Sequence, residues 1–267
     1  MLKLALALLF FSHFWGGFFS SPFSLADDWI EYEKGDKLEL LPNELHPTQF
    51  MFSQLEVDFK IKEFKKIMAD QGEEGVVEYL KNHRGDVIVG PKNQMWLVDG
   101  HHHALALESL RRKDRRFKNI SYYVKVVKEW NELSSQKFEQ AMKLGNKKGE
   151  SGTDPFVYLK DSKGRHRSFK SLPKELSAMT DSPWRSLVWL LKEQGAIEKM
   201  LDIPYWEFRV AEYLQKNMRI PAKMDKSAYQ KAVKEALSLI QNAKDDSFPG
   251  FKRLEIDKCG NILRKIS

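Results

Sequence analysis

The sequence predicts an α/β (α+β) domain followed by a mostly helical domain. Three observations carry that expectation. Short apolar runs at 38–41, 86–89, 95–98 and 120–127, the second and last rich in β-branched residues, alternate with apolar stripes of helical period. A charged, glycine-bearing stretch at 146–152 marks a change of character. From about residue 170 onward the apolar positions follow the helical period.

The N-terminus reads as an address. Met1-Leu2-Lys3 is a short positive start, and residues 4–19 are apolar except for Ser12, His13 and two glycines. Ser24-Leu25-Ala26 then places small residues at −3 and −1 of a cleavage site. The expectation is a signal peptide over 1–26, cleaved before Asp27, and an exported chain, periplasmic or secreted. The alternative is an uncleaved membrane anchor, since the apolar stretch approaches spanning length. No later segment does, so no stable membrane insertion is expected after cleavage. The mature chain is about 240 residues, enough for one large domain or two small ones. The formal charge of +7 permits an anionic partner without requiring one. The single cysteine, Cys259, cannot form an internal disulfide and is expected to be buried and inert.

The elements follow in order. Residues 27–37 form a polar arm, and 38–130 the α/β domain. Residues 38–41 read as a strand stopped by Pro42, and His46-Pro47-Thr48-Gln49 as an extended or turning segment. Val57, Phe59, Ile61, Phe64, Ile67 and Met68 make a helical stripe, interrupted at Gly72–Gly75 and resumed over 76–81. Residues 86–89 and 95–98 pair as a hairpin around Gly90-Pro91, and 101–112 form a helix with Asp99 as N-cap. A linker and small hairpin occupy 131–169, the hairpin turning at Asp161-Ser162-Lys163-Gly164. The helical domain spans 170–267, with helices over 183–193, 203–216 and 226–243; Pro183 suits a first turn.

Chemistry concentrates at Asp99-Gly100-His101-His102-His103, where a strand turns into a helix and three of the seven histidines stand together. Gly100 lets a ligand approach the backbone, the first helical amides donate, and a protonated imidazole adds charge, which suits a phosphate. A divalent metal is the other candidate, with His101 and His103 as ligands and Asp99, His46 and Glu56 as distant additions. A plain polar helix start is the third reading. Glu56 and Lys60 are spaced as a surface ion pair, or else Lys60 reaches a phosphate and Thr48 or Gln49 a ligand edge. The basic run 111–116 reads as a solvated helix end, and as nucleic-acid contact only in second place. Trp184, Trp189, Tyr205, Trp206, Phe208 and Tyr213 read as core, and Arg185, Arg209, Glu207 and Glu212 as interdomain ion pairs.

These motifs together resemble the ParB-like nuclease family of the ParB/sulfiredoxin superfamily. The likeness runs through Pro47-Thr48-Gln49, Glu56-Val57-Asp58-Phe59-Lys60 and the box Asp99 to His103. It continues through Ser171-Leu172-Pro173, Pro183-Trp184-Arg185-Ser186-Leu187 and Glu207-Phe208-Arg209-Val210-Ala211-Glu212, and covers most of 38–250. The resemblance implies a ParB/sulfiredoxin-like domain over 38–130. The departures narrow its activity. No cysteine stands between Gly100 and Ala104, against sulfiredoxin chemistry. His102 and His103 replace the arginines of segregation proteins, and His103 replaces the arginine of the serine-kinase box.

The leading expectation is therefore an exported protein acting on a phosphate-bearing substrate, by phosphodiester (nucleic-acid) hydrolysis. His101 or His102 would be the acid or base with Asp99 orienting it and His103 in the same site. Thr48, Gln49, Glu56, Lys60 and Gly100 would bind the ligand, and a divalent metal is a candidate cofactor. The alternatives are a non-catalytic anion- or nucleotide-binding protein and a nucleotide-dependent small-molecule kinase.

Overall fold

A sheet of five strands forms the centre, in the order β1-β6-β4-β5-β2. The strands are β1 (Lys37–Leu40), β2 (Leu45–Pro47), β4 (Gly85–Gly90), β5 (Gln94–Asp99) and β6 (Tyr122–Glu129). The computed structural model describes residues 31–148, 152–198, 205–221 and 223–243. The signal segment, Cys259, the middle of the 146–152 linker and the first residues of the expected 203–216 helix lie outside the described residues. From Tyr32 onward the chain forms one unit.

The expected hairpin is present. β4 and β5 pair antiparallel, and Lys92 and Asn93 take positive φ in the connection between them. β6 lies parallel to β4, β1 antiparallel to β6, and β2 parallel to β5. β4 is buried on both faces. Val87 and Val89 pack with the two helices below, and Ile88 packs with the aromatic layer above.

Helix α1 (Gln54–Asn82) starts where Ser53 accepts a hydrogen bond from the Glu56 amide at 3.1 Å. It kinks at Gly72, whose φ of 71° is where the pattern predicted a break. Phe64, Met68, Val76 and Leu80 face the sheet with Ala104, Leu105 and Leu107 of α2 (His101–Lys113). The N-cap of α2 is Gly100, not Asp99. The Asp99 carboxylate instead accepts from the Gly100 amide at 2.8 Å. Helix α3 (Ser135–Leu144), which the sequence reading passed over, covers the other sheet face with Phe138 and Met142.

The linker expected at 146–152 pairs at its ends: β7 (Asn146–Lys148) runs antiparallel to β8 (Gly152–Asp154). The small hairpin at 156–169 is reduced to a bridge between Lys160 and His166 and a turn tied by Asp161. A two-strand parallel contact joins β3 (Met51–Phe52) to β9 (Thr180–Asp181). It leads directly into α4 (Pro183–Glu193), whose N-cap is Ser182. Helices α4, α5 (Trp206–Asn217) and α6 (Lys226–Asn242) share a core of Leu187, Leu190, Val210, Leu214, Val233 and Ala236. Leu55 and Phe59 of α1 pack against that core, so the start of α1 touches the helical bundle and its later turns touch the sheet.

Candidate functional site

A cleft of about 620 Å³ opens between the α2 start, the α1 start and the α4–α5 pair. Its volume falls in the range of small-molecule sites. All three histidines of the triplet border it, with Gln49, Glu56, Asp99 and Gly100.

The geometry at Gly100 explains the turn. Its φ is +88°, and a Cβ there would lie 2.2 Å from the Tyr122 hydroxyl and 2.9 Å from the Gly85 Cα. Tyr122 donates to the Gly100 carbonyl at 3.1 Å. Only glycine fits that left-handed position against that neighbour.

The three histidines do different things because a helix turns by about 100° per residue. His101 is 4% exposed. Its Nε2 accepts from the Thr48 amide at 3.4 Å, and it bonds the Leu97 carbonyl. Its Nε2 is thus engaged by backbone and its ring is buried, which removes it from the acid or base role the sequence pointed to. His103 lies near the Tyr79 hydroxyl at 3.4 Å and near the His83 ring. His102 alone meets a carboxylate: its Nδ1 is 3.3 Å from Glu56 Oε2. The Ser53 amide donates to its Nε2 at 3.0 Å, so the neutral ring carries its proton on Nδ1, toward Glu56.

Burial pushes all three histidines down to about 3. The positive charge of Arg185 adds to this at His101 and His102, and that of Lys60 at His103. The rings are therefore neutral at physiological pH, and a protonated imidazole does not supply the anion-binding charge. Glu56 is pushed up to about 7, by burial first and then by the nearby Glu207. Among the described residues its Oε2 has no hydrogen-bond partner.

The other expected ligand residues sort into floor and wall. Thr48 is fully buried and donates to the Leu97 carbonyl at 2.8 Å, so it holds the floor and does not face a ligand. Gln49 lines the cleft but ties its amide to the Met51 carbonyl at 2.9 Å. Lys60, 16% exposed, bonds Glu63 at 3.0 Å and Tyr79 at 3.2 Å instead of pairing with Glu56 or reaching the cleft. Asp99 is bonded to Gly100 and orients no histidine. His46 stacks on Trp96 at 5.1 Å, outside the cleft lining.

His101 and His103 point apart, to backbone on one side and to Tyr79 on the other. Among the described residues no three His, Cys, Asp or Glu side chains are grouped to hold a metal ion. The described donor set does not fit a metal.

The helical segment supplies what the sequence reading left as ion pairs. Arg185 is 3% exposed and stacks its guanidinium on Phe208 at 4.2 Å. Its Nη2 donates to Glu207 Oε2, and Lys192 bonds Glu207 Oε1 at 3.1 Å. Among the described residues, Arg185 Nε and Nη1 have no hydrogen-bond partner. Burial raises the Glu207 carboxyl, but Arg185 and Lys192 outweigh it and hold the group below its ordinary range. Arg185, Lys192 and Glu207 line the same cleft as His102 and Glu56. The signal was available: Arg185 sits between Trp184 and the apolar run Leu187-Val188-Trp189, and an arginine in such a segment is rarely buried without a partner. Tyr205, with φ of 52°, and Arg84 also line the cleft, and no sequence cue marked either for the site.

The fold and cleft define an α/β protein with a recessed, charged site at a strand-to-helix turn. The sequence pattern of the family described as "Putative ParB-like nuclease" matches residues 39–216, and the chain belongs to that family. The chain is also similar to a solved structure, protein Atu1540 from Agrobacterium tumefaciens. The two are 24% identical with a TM-score of 0.64, over 84% of this chain and 100% of that one, a likeness of fold. No curated protein matches the chain.

Proposed function

We propose that this chain is an exported enzyme that hydrolyses phosphodiesters in the cleft. The observation that carries the reading is Arg185: a buried guanidinium with two unpartnered nitrogens beside a carboxyl of near-neutral pKa. A buried donor left unpaired costs about 1–3 kcal/mol, more when charged, so such a group calls for an anionic ligand. Membership of the ParB-like nuclease family supports a phosphate as that anion.

In this reading Arg185 holds a phosphoryl oxygen and stabilises the charge that grows there. Glu56 takes the proton from the attacking water, since a carboxyl near 7 divides between its acid and base forms at neutral pH. His102 turns Nδ1 toward Glu56, 3.3 Å from Oε2, within reach of a proton passed between them. His101 and Thr48 fix the floor.

The test is hydrolysis of bis(4-nitrophenyl) phosphate and of a single-stranded oligonucleotide by the purified chain. Arg185→Met lowers turnover by about 10²–10³, the usual effect of losing one charge-stabilising donor. Glu56→Gln lowers it by about 10²–10⁴. A chain that binds phosphate through Arg185 yet cleaves neither substrate is a binding protein, and hydrolysis is then excluded. Export rests on the apolar residues 4–19 and on Ser24-Leu25-Ala26. N-terminal sequencing of extracytoplasmic protein is expected to begin at Asp27, and full-length chain confined to the cytoplasm would contradict it.

A further inference from the structure

The charges around Arg185 distinguish two kinds of phosphate ester. We propose that the cleft selects a singly charged phosphodiester over a doubly charged phosphomonoester, and that Glu207 sets this preference. The inference rests on the phosphate reading of the cleft given above.

Glu207 is one carboxylate shared by two cations: Oε2 takes Arg185 and Oε1 takes Lys192. The three groups together carry one net positive charge. Arg185 is 3% exposed, so that charge is poorly screened. The adjoining groups add no positive charge. His102 is neutral, and Glu56 is at most negative. Lys60 is compensated by Glu63. Arg84, Asp99, Asp154, His83 and His103 also line the cleft, one cation to two carboxylates, and among the described residues Arg84 Nε has no hydrogen-bond partner.

A phosphodiester brings one negative charge and meets the one net positive charge of Arg185, Lys192 and Glu207, with Glu56 beside it as a further negative group at pH 8. A phosphomonoester dianion brings two. Its second charge faces Glu207 and Glu56, because the charges of Arg185 and Lys192 are already matched by Glu207 and by the first charge of the ester. Desolvating an uncompensated charge is costly, and like charges at contact repel. Arg185 Nε and Nη1 remain able to donate to the bound anion in either case. The discrimination therefore lies in charge, and Glu207 is the residue that lowers the site from two positive charges to one.

The probes are dimethyl phosphate and methyl phosphate, titrated calorimetrically into the full chain at pH 8. A phosphomonoester, with its second pKa near 6, is then a dianion. Dimethyl phosphate is expected to bind at least about tenfold tighter. Glu207→Gln adds one net positive charge, and methyl phosphate is expected to gain about tenfold or more relative to dimethyl phosphate. That variant removes the counter-charge of a buried arginine, so its circular dichroism is recorded beside it. Lys192→Met, at a partly exposed position, supplies the opposite change: both esters weaken, and the dianion weakens by the larger factor. Methyl phosphate binding as tightly as dimethyl phosphate, or an unchanged ratio in the folded variants, overturns the proposal while the phosphate reading stands. Binding of neither ester overturns both.

Discussion

At His102 a single backbone amide decides where a proton sits. The Ser53 N–H occupies Nε2, and the proton is left on Nδ1 facing Glu56. The consequence is a prediction about rate. If Glu56 is the base, it works as the carboxylate, so kcat/KM rises as pH passes through about 7 and levels off above it. Glu56→Gln should abolish that limb as well as lower the rate; a limb that survives the substitution would assign the titration to another group. The sequence marked Glu56 and the triplet through two separate motifs of one family likeness. It could not say that His101 is spent on backbone, because that follows from the packing of β2 against β5 and from nothing local. Lys60 misled for a similar reason: its i,i+3 partner Glu63 captures it together with Tyr79, which lies 19 residues further along α1.

Among the elements, those with strong local signals were legible. The β4–β5 hairpin, the break at Gly72 and α4 with its Ser182 cap stand where the pattern placed them. The two-residue pairing of β3 with β9 was not legible, because residues 130 apart meet only through the tertiary fold. It matters for the site, since it brings Ser53 and Ser186 to 3.1 Å and so sets α4, with Arg185, against α1, with Glu56. The strand-to-helix turn is the element most exposed to a single change. Gly100→Ala needs a Cβ 2.2 Å from the Tyr122 hydroxyl in a left-handed conformation. The expected cost is about 1–3 kcal/mol from the strained backbone, before any shift of Tyr122. Urea denaturation measures it, and a variant as stable as the parent would mean that the turn relaxes without loss. Activity should fall further than stability, because the same turn starts the helix that carries His102.

Over the whole molecule, the buried histidines tie folding to pH. Each has a folded pKa of about 3 against an ordinary value near 6.5, chiefly through burial. Below 6.5 the unfolded chain binds protons at these positions and the folded chain does not. The stability they contribute is therefore complete above 6.5 and is lost as pH falls toward 3. Glu56 acts with the opposite sign. Its folded pKa of about 7 exceeds the unfolded value, so its contribution is present below about 4.5 and lost as pH rises through 7. Glu207, held down by Arg185 and Lys192, joins the histidines below about 4.5. Between 4.5 and 6.5 three histidines oppose one glutamate, at about 1.4 kcal/mol per pH unit for each group fully engaged, and the histidines win. The free energy of unfolding should thus drop steeply from pH 6.5 to pH 5. His103→Phe, which keeps the ring against Phe64 and Tyr79, leaves two histidines against the one glutamate and should reduce that slope by about one half. Stability that holds level from pH 7 to pH 5 would mean that the histidines are charged in the fold, and with that the neutral His102 facing Glu56 would have to be given up.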